Sequence, residues 1–228
     1  MCTSRLSNRG EGEVKTGIAL LDVDGTVLSK RSIDVLCERF GFKSELSKID
    51  LELRKAPRYV VTKKITALFS GKKRHDLEKA FDSIPLNDGV HQFISFLKNR
   101  GFIVALATDG YKFLADRLKG GLQLDLVCGN ILQFNEDSLT GRVLTVPSCL
   151  RIPGCKEYFV CKLQLLKSLQ GALGGMSVAI GDSDSDYCML SGADIAIAYR
   201  PKTERIRKQA DITVEDFEEA MAFLKNML

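Results

Sequence analysis

Two aspartates stand one residue apart where an apolar run gives way to a turn, in the stretch ALLDVDGTVL at 19–28. Carboxylates buried that close together repel, so a cation or a proton has to sit between them. Two more polar groups occupy equivalent places. Thr108 follows the apolar run 102–107, and Asp182 follows the run 177–180 after Gly181. If those runs are strands, they deliver a carboxylate, a hydroxyl and a second carboxylate to one edge of a sheet.

The elements that must hold these groups are legible in the periodicity. Runs 18–21, 102–107, 177–180 and 195–198 are short, continuous and apolar, the pattern of strands buried on both faces of a parallel sheet. Between and after them apolar residues recur at helical spacing. Val90, Phe93, Ile94 and Leu97 form one set; Tyr111, Leu114, Ala115 and Leu118 a second; Cys161, Leu165 and Leu169 a third; Phe217, Met221 and Leu224 the last. The alternation predicts an open α/β sheet, whose ligands bind at the carboxyl ends of its strands. The segment 32–88 breaks the alternation. It carries three helical patterns, around Leu36, Ile65 and Leu77, punctuated by Gly41, Gly71 and Pro85, and predicts a helical insertion after the first strand. The stretch 132–146 alternates about a turn and predicts a hairpin.

Composition narrows the function. A chain of 228 residues, 45% hydrophobic and 27% charged, can bury a full core and reads as globular. Its formal net charge of +4 is too mild to argue for nucleic acid, and no apolar stretch is long enough to span a bilayer. The basic cluster 71–75 lacks interleaved aromatics and is expected to be a solvated turn; His75 and His91 are expected at the surface. The seven cysteines are scattered without zinc spacing, which suits a reducing cytosol. A small anionic ligand is the expected partner, with no nucleic acid or membrane, and the oligomeric state is open.

In order, Asp22-Val-Asp24-Gly-Thr26, Thr108 after a strand, Lys162 opening a helix, and Gly-Asp182-Ser-Asp-Ser-Asp186 resemble the four-part signature of the haloacid dehalogenase superfamily, in its phosphoserine phosphatase branch. The likeness extends through nearly the whole chain from Ile18 and includes ADRLK, LTGRV and GADIAIAYRPK. It implies a Rossmann-like α/β core over 16–31 and 89–228, a small helical cap over 32–88, and a flexible tail over 1–15. It also implies a cytoplasmic phosphatase that uses Mg²⁺ and an aspartyl-phosphate intermediate. Asp22 is then the nucleophile, and Asp24 the acid that protonates the leaving oxygen and later deprotonates water. Asp22, Asp24 (through its main-chain carbonyl), Asp182 and Asp186 are the implied metal ligands. Thr108 and Lys162 bind the phosphoryl group and offset its charge, and turn amides around Gly25, Thr26 and Gly110 are further expected donors.

The chain departs from the branch it resembles at four places. Arg31 stands where an acidic cap residue pairs with the substrate ammonium. Lys64 falls near a cap arginine that grips the substrate carboxylate. Asp109 replaces a glycine beside the phosphate-binding residue, and Ser185 replaces an asparagine. The cap changes at Arg31 and Lys64 predict a more anionic substrate than O-phosphoserine, or one without an ammonium. Three rival readings remain at this point: transfer of the phosphoryl group to an alcohol, a phospho-aspartate signalling receiver domain, and a silent binding protein.

Overall fold

The computed structural model describes residues 17–147, 150 and 152–228; the expected tail 1–15 lies outside them. Eight strands are present among these residues: β1 (Gly17–Leu21), β2 (Phe102–Tyr111), β3 (Leu126–Asn130), β4 (Leu132–Asn135), β5 (Ser138–Val143), β6 (Met176–Gly181), β7 (Ile195–Tyr199) and β8 (Ile212–Val214). Four helices follow β1: α1 (Ser32–Phe40), α2 (Lys43–Glu52), α3 (Arg58–Leu68) and α4 (Arg74–Asp82). The rest are α5 (Val90–Asn99), α6 (Lys112–Ala115), α7 (Leu118–Gly121), α8 (Lys162–Leu173), α9 (Tyr187–Gly192), α10 (Glu204–Gln209) and α11 (Phe217–Met227).

Six strands form one parallel sheet in the order β3-β2-β1-β6-β7-β8. β1 lies at its centre, every residue buried, because an unbroken apolar sequence leaves no polar face to turn to water. Side chains alternate between two cores. Ala19 and Leu21 join Phe93, Leu97, Phe217 and Leu224 on one face; Ile18 and Leu20 join Leu166 and Leu169 of α8, Met189 of α9 and Ile206 of α10 on the other. Each such Ile, Leu or Phe contributes about 1.5–3 kcal/mol by leaving water. The chain runs outward from β1 in both directions, through β2 and through β6, so the crevice of this fold opens at the carboxyl end of β1.

The four strands and the hairpin expected from sequence are present, with two differences elsewhere. The segment after β1 holds four helices and not three; α2 buries only Leu46, too faint an apolar stripe to read. The helix expected from Tyr111 to Leu118 is absent. Tyr111 stays in the ladder opposite Asn130, the register shifts between Ala107 and Tyr111, and two single-turn helices follow. The hairpin β4–β5 turns at Glu136 and is joined to the preceding helices by the Gly71 amide to Leu139, the Leu139 amide to Lys72 and the Arg74 amide to Asp137.

The loop after β1 is held from below by Asn87. Its buried side-chain amide donates to the carbonyls of Thr26 at 2.7 Å and Leu28 at 3.3 Å, and its main-chain N–H donates to Val27. Replacing Asn87 by Leu should orphan those carbonyls and lower the unfolding free energy by about 1–3 kcal/mol, measured by urea denaturation.

Candidate active site

Asp22 is the first residue after β1, and its amide donates to Ile180 of β6 at 2.9 Å. The turn that follows needs glycine at position 25: φ is +96°, and a Cβ there would lie 2.1 Å from the Asp182 carboxylate. Glycine thus lets the loops after β1 and β6 touch, which brings Asp22 and Asp182 together. Asp24 is tied to the start of α1. The Ser32 amide donates to its Oδ1 at 2.8 Å and the Ser32 hydroxyl to its Oδ2 at 3.0 Å. A carboxylate at a helix N-terminus is favoured by the exposed amides there.

Lys162, the first residue of α8, is 3% exposed and reaches down between two acids. Its ammonium donates to Asp22 Oδ1 and, at 2.6 Å, to Asp186 Oδ1. Burial alone would lower the lysine's proton affinity, but Asp186 and Asp22 hold its pKa well above the ordinary value. Burial raises the pKa of Asp22, helped by Asp186 and opposed by Lys162. Burial likewise raises Asp24, against the two Ser32 donors, and Asp182, with Asp186 adding to it and Lys202 opposing. The amides of Asp182 and Ser183 also donate to Asp186, each at 3.1 Å.

Asp22, Asp182 and Asp186 each place a carboxylate oxygen within 4.8 Å of the others. Asp182 Oδ1 is buried without a hydrogen-bond partner. An all-oxygen, all-anionic donor set with an orphaned oxygen fits a hard divalent cation.

Asp22, Asp24, Thr108, Asp109 and Gly110 line one cavity of about 340 Å³, with Ser183, Asp184 and Ser185 at its edge. Thr108 is 2% exposed, and its Oγ1 accepts from the Gly110 amide at 2.8 Å, leaving the hydroxyl proton to donate elsewhere. Burial pushes the Asp109 carboxyl up to about 7, against the pull of Lys162, Arg58 and Arg31. The opposite wall carries Arg31, Arg54 and Arg58, with Lys156 and Tyr158 from the loop before α8. Arg31 and Arg58 share Asp50, each at 3.6 Å.

Several expected residues sit differently. Lys64 is exposed and does not line the cavity, because α3 turns Thr62 and Ile65 toward it instead; Arg58, at the start of the same helix, takes the place expected for a cap cation. The Gly25 amide is engaged with Leu28 at 2.9 Å and the Gly110 amide with Thr108, so neither is an open donor. Thr26 is fully buried and outside the cavity lining. Asp186 lies beneath the cavity, bonded to Lys162. Asp184, read as a solvated loop residue, pairs with Lys156 at 2.5 Å on the cavity wall.

Other contributors were not singled out in the sequence. Lys202, which pairs with Asp182 at 2.6 Å, follows β7 and could have been found by the strand-end rule that found Asp182. Arg54 and Arg58 are four residues apart, a helical spacing, in a stretch read only for its apolar residues. Ser32, Lys156 and Tyr158 carry no periodic signal at all.

A parallel sheet with two aspartates after its central strand, a lysine bonded between acids and a hydroxyl at the end of the neighbouring strand defines an α/β protein with a carboxylate-centred site. The sequence pattern of the haloacid dehalogenase-like hydrolases matches residues 19–191. The chain belongs to that family. It is 28% identical over 217 residues to the phosphoserine phosphatase of Methanocaldococcus jannaschii, covering 93% of this chain and 100% of that one. To the phosphoserine phosphatase of Streptococcus thermophilus it is 29% identical over 220 residues, covering 93% and 97%. A solved structure described as a phospho-aspartyl intermediate analogue of phosphoserine phosphatase superposes with a TM-score of 0.77 at 27% identity, over 92% of this chain and 99% of that one. The chain is therefore a phosphoserine phosphatase-like enzyme of phosphatase type. No described helix is long and apolar enough to cross a membrane.

The acid cluster costs stability whenever nothing neutralises it. Asp182→Asn should raise Tm in chelator-treated protein by about 2–4 °C, the equivalent of about 1 kcal/mol in a chain of this size. It should also remove most of any Tm increase that an added divalent cation produces in the unaltered protein, both read by differential scanning calorimetry.

Proposed function

We propose that the protein is a Mg²⁺-dependent phosphatase that hydrolyses a small, doubly anionic phosphate monoester through an aspartyl-phosphate. The observation that carries this reading is the convergence of Asp22, Asp24 and Thr108 on one cavity, with Lys162 bonded to the first of them from behind. Lys162 fixes one oxygen of Asp22 and favours its ionised form against the effect of burial, which leaves the other oxygen to attack phosphorus. Asp24 starts protonated, as its raised proton affinity favours, and gives that proton to the leaving ester oxygen as the P–O bond breaks. The Thr108 hydroxyl donates to a phosphoryl oxygen. In the second half Asp24 takes a proton from water, which attacks phosphorus and releases Asp22 with inorganic phosphate.

Asp22, the main-chain carbonyl of Asp24, Asp182 and Asp186 would hold Mg²⁺. Bound there, the ion offsets the charge of the phosphoryl group and of the nucleophile it meets. The scattered cysteines support a reducing, cytosolic location.

The far wall supports a second anionic group on the substrate. Three guanidiniums from Arg31, Arg54 and Arg58 share the cavity, and among the described residues the ion pairs that reach them come from Asp34 and Asp50. An ammonium brought against this wall would be repelled, whereas a carboxylate or second phosphate would be held. The relatives are named phosphoserine phosphatases; this chain is read as having moved from that substrate.

A panel of phosphorylated metabolites assayed with Mg²⁺, with Asp22→Asn as control, tests the proposal. Phosphate release should require Mg²⁺ and vanish in Asp22→Asn; release that survives that substitution would refute the aspartyl-phosphate route. The kcat/KM for O-phosphoserine should fall below that of its analogue lacking the amine, and Arg31→Glu should shift the ratio toward phosphoserine by roughly tenfold or more. Added alcohols should draw off little of the phosphoryl group if water is the natural acceptor.

A further inference from the structure

The strand β2 leaves its ladder at residues 108–110, and this irregularity turns Asp109 into the cavity wall. Asn130 pins the bend by donating its side-chain amide to the Asp109 carbonyl at 2.5 Å. The carboxyl group is less well provided for. Its Oδ1 is buried and has no hydrogen-bond partner. Besides Asn130, the cations Lys162, Arg58 and Arg31 all pull on this carboxyl, and Asp109 shares the cavity lining with Asp22 and Asp24 as well as with Arg31, Arg54 and Arg58. Tyr158 is close enough that its phenol, already burdened by burial, is pushed further up by Asp109.

A buried acceptor left without a donor costs about 1–3 kcal/mol, and a ligand that supplies the donor recovers it. The mechanism above gives Asp109 no role. We infer that Asp109 reads the substrate between its two anionic ends, accepting a hydrogen bond from a hydroxyl on the carbon chain that joins the phosphate ester to the group held by the arginines. This rests on the phosphatase reading and narrows its substrate to a phosphorylated short hydroxy acid. An ammonium could also donate to Asp109, but it would do so in the field of Arg31, Arg54, Arg58 and Lys156. A neutral hydroxyl incurs no such repulsion. Asp109 is thus a specificity residue and not a catalytic one.

The test compares four esters: 3-phosphoglycerate, its 2-deoxy analogue 3-phosphonooxypropanoate, O-phosphoserine and 4-nitrophenyl phosphate. The first should exceed the second and third in kcat/KM by about 10-fold or more, a difference of about 1.4 kcal/mol. In Asp109→Ala the ratio of the hydroxylated to the deoxy ester should collapse toward one, whatever the absolute rates. Asp109→Asn, which keeps an acceptor oxygen, should preserve most of it. A ratio near one in the unaltered enzyme, or a ratio that survives Asp109→Ala, overturns the assignment while aryl phosphate turnover leaves the phosphatase reading standing. Failure to hydrolyse any of the four, 4-nitrophenyl phosphate included, overturns that reading and this one with it.

Discussion

The site is organised by one ammonium group. Lys162 is buried between Asp22 and Asp186, and without it those two acids would be left buried and unpaired beside the centre of the sheet. Removing one partner of such a buried pair typically costs about 3–5 kcal/mol, because the charge left behind has no water to turn to. That constraint fixes the start of α8 over the sheet, since only its first residue can reach both acids. It also fixes the Gly25 turn, since no side chain fits between the two loops. The two cores on either face of β1 stabilise the fold as a whole; this ion cluster determines how the loops at its edge are arranged.

Polarity across the cavity follows from the same arrangement. Acids occupy the strand ends, and the guanidiniums of Arg31 just before α1, of Arg54 before α3 and of Arg58 in α3 line the same cavity. A charged ligand bridging the two is oriented before any reaction begins.

Much of this was legible in the sequence because it rests on local pattern. A run such as Val104 to Ala107 can only be a doubly covered strand, and the residue after such a strand faces the crevice, which is how Asp22, Thr108 and Asp182 were found together. What escaped was set by tertiary contact. Tyr111 fits a helical stripe, yet pairing with Asn130 keeps it in the sheet. Lys64 matched a cationic position by count alone, while the turn of α3 put Arg58 there instead. Lys156 and Tyr158 reach the cavity from a loop that the backbone of α3 holds, through the Arg58 amide to Lys156 and the Tyr59 amide to Glu157. No spacing in the chain encodes such a contact. Gly25 and Gly110 were read as anion-binding turns, and both amides proved to be engaged within their own loops.

The two bonds from Ser32 to Asp24 link the chemistry of the strand edge to the position of the first helix. If α1 swung away from β1, the proton-carrying carboxyl would lose both donors at once, and the Arg31 side chain just before the helix would leave with them. A movement of that helix would therefore change the proton affinity of Asp24 and the charge beside it in a single step, and docking of the helix would restore both together.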